Sequence, residues 1–339
     1  MVKPKVLALG YPAFAGEEYV KQFQEEYEID IDLHQVLVPT DRKQTVADLA
    51  AKVQSSGPYQ ALLVRMGIGP YEPFDEELLR PLVPDCKILV SCSAGYNEFD
   101  VSWMTQQGMW FCNTRNAVSE ATADMAMFLI LAVLRDTTRG EKQTREGKWR
   151  GTLAPTRDPT GLKLGILGMG GIGKHLARKA AAFNMKIIYY NRQRLPVEDE
   201  ERLGATYCPT MEELLAQSDV FSVNCPLNDQ TVGLIGEKEF AQMKDGVFFI
   251  NTARGAIVNE SALIAALQSG KIERAGLDVF DGEPSVNPFF LECDRCTIQP
   301  HLGGLTDGAF QKAEIECLEN IKTLFTTGVP VAPINNIST

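Results

Sequence analysis

The chain has 339 residues, a length that suggests two domains, each large enough to bury a core of its own. Its 45% hydrophobic, 23% charged and 8% aromatic content is that of an ordinary globular protein, which excludes a disordered or fibrous chain. A formal net charge of −11 disfavours nucleic acid or an acidic membrane surface as partner, so any anionic ligand must be met by a few placed cations.

From the start, the run ending at Gly10 and Pro12 is too short for a signal-peptide core and reads as a buried strand. Strands are expected at Val6–Gly10, Ala61–Met66, Ile88–Ser93 and Met109–Asn113, with helices at Glu17–Glu26, Val46–Gln54 and Phe74–Leu79. Alternating strands and helices imply a parallel sheet covered on both faces. Ser119–Asp136 begins with a Ser cap and an acidic first turn and is apolar nearly all round, as a long buried helix would be. Arg139–Thr160 is polar, contains Gly and Pro and lacks periodicity, and the helix with this loop reads as the hinge and as a candidate subunit contact.

A second α/β series starts at Gly161. Its strands are expected at Lys163–Leu167, Lys186–Tyr190, Asp219–Asn224, Val247–Asn251, Ala275–Val279 and Thr297–Gln299. Helices fit at Ile172–Phe183, Met211–Ala216, Glu237–Met243 and Glu260–Ser269. A last amphipathic helix, Asp307–Thr326, comes too late for the second sheet and is expected to return to the first domain. The reading is therefore α/β, with two doubly wound parallel-sheet domains, Rossmann-like or flavodoxin-like, and a cleft between them. The substrate domain would be discontinuous, 1–117 plus 308–339, and the dinucleotide domain would span 118–307.

No apolar stretch is long enough to span a bilayer, so a cytoplasmic, membrane-free protein is expected. The eight cysteines are scattered, as reduced thiols are in an intracellular protein. Cys293 and Cys296 form a C-x-x-C without a second pair or nearby ligands, and no metal site is expected.

Gly168-Met169-Gly170-Gly171-Ile172-Gly173 is a G-x-G-x-x-G, a weak signal alone in a chain with 28 glycines. Here the apolar strand KLGIL precedes it and the amphipathic IGKHLARKAAAF follows, which places a pyrophosphate on the helix N-terminus. About 20 residues further on, an NAD site usually carries an acidic residue for the ribose hydroxyls. Asn191 supplies none, and Arg192 and Arg194 suit a 2′-phosphate, so NADP(H) is favoured over NAD(H).

Ligands of an open parallel sheet bind beyond the carboxyl ends of its strands. The unusual residues fall at those ends in turn: Asn224-Cys225-Pro226-Leu227, then Asn251-Thr252-Ala253-Arg254-Gly255, then Asp278 to Pro284, then Pro300-His301-Leu302-Gly303-Gly304. Arg254 can fork onto a carboxylate. His301 is one of only three histidines and the one at such a strand end, and an imidazole is the side chain suited to give and recover a proton. Glu283 can hold its other ring nitrogen. The set suits reduction of a 2-oxo acid.

These motifs resemble the D-isomer-specific 2-hydroxyacid dehydrogenase family, which includes glyoxylate/hydroxypyruvate reductases and D-mandelate and D-lactate dehydrogenases. The likeness covers essentially the whole chain, and NTARG with LDVF-x-x-EP and PHLGG are its most specific strings. It implies Arg254, Glu283 and His301 as the catalytic trio and NAD(P)H-dependent reduction to a D-2-hydroxy acid. It implies that Asp278 holds the nicotinamide carboxamide, with Thr252 and Ala253 lining that face and Thr231 and Gly303 among the cofactor contacts. Ser93-Ala94-Gly95-Tyr96 looks like the loop whose amides bind the substrate carboxylate, and Arg65-Met66 corresponds to the other substrate-side loop. Side-chain selectivity is expected from Tyr71, Phe74 and Tyr96, with Trp149 from a homodimer partner. Asn224 departs from the His that many members carry, and Gly303-Gly304 is more like the fungal D-mandelate-type branch. The same fold includes dinucleotide-sensing corepressors that keep these residues, the alternative of a different class.

Overall fold

The computed structural model describes residues 4–26, 30–34, 41–65, 71–114 and 116–337. It divides into two compact units, Met1–Val118 with Asp307–Thr339, and Ser119–Thr306.

The first unit opens with β1 (Lys5–Leu9), α1 (Glu17–Glu26), β2 (Asp30–His34), α2 (Arg42–Ser56) and β3 (Ala61–Val64). It continues with α3 (Glu76–Leu79), β4 (Ile88–Ser91), α4 (Val101–Gln106) and β5 (Trp110–Asn113). β3 (ALLV) and β4 (ILVS) are buried along their whole length and apolar but for Ser91, the pattern of strands covered on both faces. Their helices begin where a short acid can satisfy an orphan amide: Asp41, Asp75 and Asp100 accept from Gln44, Leu78 and Trp103. All strand pairs are parallel, in the order β2-β1-β3-β4-β5.

The second unit runs α5 (Ser119–Arg135), α6 (Thr137–Arg145), β6 (Lys163–Leu167), α7 (Gly171–Ala182), β7 (Lys186–Tyr190), α8 (Val197–Leu203) and β8 (Ala205–Tyr207). Then come α9 (Met211–Gln217), β9 (Val220–Val223), α10 (Glu237–Gln242), β10 (Val247–Asn251), α11 (Glu260–Ser269), β11 (Ile272–Leu277), α12 (Pro288–Glu292) and β12 (Cys296–Ile298). Its seven parallel strands take the order β12-β11-β10-β9-β6-β7-β8, with the direction of winding reversing between β6 and β9. α5 packs on α7 and on the sheet at β10 and β11. Ten of its residues are buried, as its nearly unbroken apolar sequence requires.

The chain ends in α13 (Asp307–Thr327), which packs on β4 and β5 of the first unit. Ala313, Cys317, Leu318 and Ile321 on this helix join the core on that face of the sheet.

Several expectations are corrected. The stretch after Arg139 contains part of a real helix, α6, which has no buried residue and therefore no hydrophobic period to find. β2, β8, α4, α8 and α12 were not expected; β2 and β8 each lie at one edge of their sheet and are weakly apolar, and β8 has only three residues. Phe74 precedes α3 rather than starting it, because Asp75 caps that helix. Ser119 lies in the first turn of α5 instead of ahead of it.

Candidate active site

The glycine turn lies where β6 gives way to α7, at the winding reversal. Gly168 has φ +99°, and a Cβ there would lie 2.7 Å from the Cys225 nitrogen and 2.8 Å from the Asn224 carbonyl carbon. Only glycine lets this turn pass so close to the loop after β9. Nothing lies within 4 Å of where a Gly170 Cβ would be, which leaves the backbone open to an approaching anion at the start of a helix. Asn191, at the end of β7, turns its Oδ1 back onto this turn and accepts from the Met169 amide at 2.7 Å.

The two arginines that follow are held differently. Arg194 Nε and Nη2 donate to Glu200 at 2.9 and 2.7 Å, and its guanidinium lies over the Tyr207 ring. These bonds, with that from the Tyr189 hydroxyl, hold the Glu200 carboxyl down to about 2. Arg192 is exposed and donates to Gln230 Oε1 at 2.9 Å.

Two buried polar atoms stand open beside the turn. Asn224 spends its amide nitrogen on Ser222, at 3.1 and 2.9 Å, while its Oδ1 has no hydrogen-bond partner among the described residues. Thr252, 6% exposed beyond β10, leaves its Oγ1 equally unpaired. Buried donors and acceptors are normally satisfied, so these atoms fit a polar ligand lying across the strand ends. Next to them, Thr231 Oγ1 donates to the Pro226 carbonyl, and burial pushes the Cys225 thiol up to about 11.

The turn after β10 is shaped by Asn251, the polar residue that ends the strand. Its Oδ1 accepts from the Ala253 amide at 3.0 Å and its Nδ2 donates to the Arg254 carbonyl at 2.9 Å. Arg254 itself donates to the Ala253 carbonyl at 2.9 Å. A Cβ on Gly255 would lie 1.9 Å from the Phe280 carbonyl carbon, so this loop and the one after β11 are pressed together.

His301 follows β12 at φ +57°, an uncommon conformation for a residue other than glycine. Asp278 imposes it. The Asp278 carbonyl accepts from the His301 amide at 2.8 Å, and its two carboxylate oxygens accept from Leu302 and Gly303, each at 2.7 Å. Burial raises the Asp278 pKa against the pull of these amides. The carboxylate therefore holds the loop that carries His301.

His301 Nδ1 and Glu283 Oε2 are 2.7 Å apart, and Glu283 Oε1 accepts from the Phe280 amide at 2.8 Å. Burial pushes the Glu283 carboxyl up. The His301 bond, the Phe280 amide and the charges of His301 and Arg254 outweigh it, leaving the pKa below the usual Glu value. An ionised carboxylate only accepts, so Nδ1 carries the proton and Nε2 is the nitrogen left for a substrate. The imidazole is 44% exposed, within reach of a ligand. Arg254, Glu283 and His301 thus come from three strand ends of one sheet.

In the first unit, the Ser93–Tyr96 turn follows β4. The Ser93, Ala94 and Gly95 carbonyls accept from Thr114, Asn113 and Ser93 Oγ, so the turn's acceptors are spent within the unit. Tyr96 is 41% exposed and sits 5.9 Å from the Phe111 ring. Tyr71 and Phe74 do not face a substrate: both are buried in the core, and Phe74 stacks on Phe99. Met66 and the side chain of His34 lie outside the described residues.

Residues 127–303, more than half of the chain, match the family described as D-isomer specific 2-hydroxyacid dehydrogenase, NAD binding domain. The chain belongs to that family. It is similar to dehydrogenase efuE of Hormonema carpetanum, 56% identical over 336 residues, covering 99% of this chain and 83% of that protein. It is also similar to the crystal structure of a glyoxylate reductase from Paecilomyes thermophila, at 37% identity and a TM-score of 0.89, covering 98% and 99% of the two chains. The holo form of Rhodotorula graminis D-mandelate dehydrogenase superposes with the same TM-score at 31% identity, covering 100% of this chain and 99% of that one. This dehydrogenase is an NAD(P)-dependent oxidoreductase of the 2-hydroxy acid and 2-oxo acid class, and its nicotinamide dinucleotide belongs to the unit carrying the glycine turn. Among the described residues no helix is long and apolar enough to cross a membrane.

Proposed function

We propose that this dehydrogenase reduces a 2-oxo acid to the D-2-hydroxy acid, with NADPH preferred over NADH and His301 as the general acid. The observation that carries the reading is the 2.7 Å pair between His301 Nδ1 and Glu283, which leaves Nε2 free to act on substrate. A bound nicotinamide supplies the hydride to C2. His301 delivers the proton from Nε2 to the carbonyl oxygen and takes it back in the reverse direction. Glu283 fixes the ring and stabilises the imidazolium when it forms. Arg254 receives the acid's carboxylate and polarises the carbonyl. The amides of the Ser93–Tyr96 turn, with Arg65 directly after β3 and the Met66 that follows it in sequence, belong to acid binding.

For the cofactor, Gly168–Gly173 takes the pyrophosphate, and Asn224, Cys225, Pro226, Thr231, Thr252, Ala253, Asp278 and Gly303 surround the nicotinamide side. Arg192 and Arg194 take the 2′-phosphate, and Asn191 braces the turn between them. Support for a homodimer comes from Trp149, 74% exposed at φ +55° in the long loop after α6. Eight reduced cysteines suit the cytoplasm.

The test is oxidation of NADPH and NADH with glyoxylate, hydroxypyruvate, pyruvate, phenylpyruvate, benzoylformate and 2-oxo-isocaproate. Turnover of at least one acid, faster with NADPH, is expected. His301→Asn should lose about 10²–10⁴-fold in rate, the usual worth of a positioned proton donor, while still quenching NADPH fluorescence. Full activity in that variant would overturn the role of His301. Tight NADPH binding without turnover of any acid by the wild type would favour a dinucleotide sensor instead.

A further inference from the structure

One motif has no part in the oxidoreductase site, the C-x-x-C of Cys293 and Cys296. It forms the turn between α12 and β12, at one edge of the second sheet. The Cys293 amide donates to the Phe289 carbonyl at 3.0 Å, and the Cys296 amide closes the turn onto the Cys293 carbonyl at 2.9 Å. Between them, the Arg295 carbonyl accepts from the Ala275 amide of β11 at 3.1 Å, and the Arg295 side chain donates to the Leu267 carbonyl. A turn closed in this way keeps its first and last Cα atoms within about 7 Å, and a disulfide asks for about 4.4–6.8 Å. The reduced backbone is already a frame for the bridge.

The two thiols differ as an attacking and a resolving thiol should. Cys293 is partly exposed, whereas Cys296 is buried. Burial first, and then the charge and the hydrogen bond of the neighbouring Cys293 thiol, push the Cys296 thiol up, while Arg295 pulls the other way. That hydrogen bond sets the two sulfurs against each other. Among the described residues no group of three His, Cys, Asp or Glu could hold a metal ion, so two thiols are the whole donor set. Cys92 and Cys317 supply the contrast in the first unit. Their sulfurs are 3.6 Å apart, but both are buried, and burial holds the Cys317 thiol far above its ordinary range. A thiol without access or thiolate character is inert, so closeness alone does not make a redox pair.

We propose that Cys293 and Cys296 form a reversible thiol–disulfide site for low-molecular-weight disulfides of the glutathione class, with Cys293 attacking and Cys296 resolving. The Cys293 thiol gives its proton to water, and the thiolate attacks one sulfur of the incoming disulfide. The external S–S bond breaks, a mixed disulfide forms on Cys293, and the first thiolate leaves and takes up a proton. No thiolate then remains on Cys293, which removes one of the influences that hold the Cys296 thiol up. Cys296 loses its proton and attacks the Cys293 sulfur, releasing the second external thiol. Two protein thiols give up two electrons and two protons, and the external disulfide gains them. The site lies wholly in the second unit and does not depend on which acid the enzyme reduces.

The experiment incubates the folded full chain with glutathione disulfide, quenches it by unfolding in excess alkylating reagent, and reads each cysteine by peptide mass. Relative to the same protein in reduced glutathione, alkylation of Cys293 and Cys296 should fall about tenfold or more, with their peptide lighter by two hydrogens. Excess reduced glutathione should restore both thiols. Cys92 and Cys317 should stay alkylated within about twofold throughout. Cys296→Ser should trap one glutathionyl group on Cys293, and Cys293→Ser should leave Cys296 free. The second variant changes the partly exposed position, and it carries the test if the buried one does not fold. A wild type whose Cys293 and Cys296 both remain alkylatable would overturn the proposal. So would a mixed disulfide that stays on Cys293 of the wild type, or glutathione captured by Cys296 in Cys293→Ser.

Discussion

At the residue scale, the decisive feature is the division of labour between two acids. Glu283 serves the imidazole ring of His301, and Asp278 serves the backbone on which that ring is mounted. The Glu283 carboxyl sits below the ordinary Glu range, so it is ionised wherever His301 could use it. Glu283→Gln keeps an acceptor for Nδ1 and removes the charge that favours the imidazolium. The expected outcome is a loss of about 10²–10⁴-fold in kcat/KM, read from initial rates, with the NADPH dissociation constant preserved. A depressed native pKa also fixes the sign of a stability effect. The wild type should be more stable than Glu283→Gln above the ordinary carboxylate range, and the gap should close as the pH falls through the native value, as thermal melts across that range would record. A gap that widened in acid would contradict the ionised assignment.

At the scale of elements, the site is made by four consecutive strand ends of one sheet, and the loops between them brace each other. Gly255 is the point of closest approach, with no room for a methyl group against the Phe280–Asp281 backbone. Gly255→Ala must therefore separate the Arg254 loop from the Glu283 loop. Overpacking of this kind costs about 1–3 kcal/mol, so a lowered melting temperature and a larger loss of activity are expected together; a variant as stable and active as wild type would show that the two loops yield independently. Much of this was legible beforehand because a parallel sheet makes buried strands nearly continuous in apolar residues, as in VFFIN of β10, so that the polar residue ending each run stood out. What escaped had no such contrast. α6 has no buried residue, and β8 is three residues at an edge. Tyr71 and Phe74 looked like substrate-facing aromatics because composition does not tell which way a loop residue points, whereas packing does. The Arg65–Glu314 pair joins the third strand to the last helix, and no spacing rule connects residues so far apart in the chain.

At the scale of the whole molecule, a chain of net charge −11 must bind a nicotinamide dinucleotide and an organic acid, both anionic. On the proposed reading it does so by single placed cations rather than by a basic surface, with Arg192 and Arg194 bearing most directly on the choice of cofactor. Arg194 is anchored twice to Glu200, so its guanidinium is ordered before any ligand arrives, and Arg192 lies exposed beside it on Gln230. Ligand binding to the native state alone stabilises it by RT ln(1 + [L]/Kd), about 2.7 kcal/mol at a hundred times Kd. For a unit of this size, that corresponds to a rise in melting temperature of about 5–10 °C. At equal concentrations NADPH should therefore raise the melting temperature more than NADH does. Arg192→Ala and Arg194→Ala should each shrink the difference, without altering the shift given by NADH, because neither side chain has a 2′-phosphate to meet there. The measurement needs no substrate and no turnover, so it isolates cofactor recognition from catalysis. Equal shifts from the two cofactors in the wild type would mean that the arginines only brace the β7–α8 connection, and that the missing acidic residue at Asn191 relaxes cofactor choice instead of reversing it.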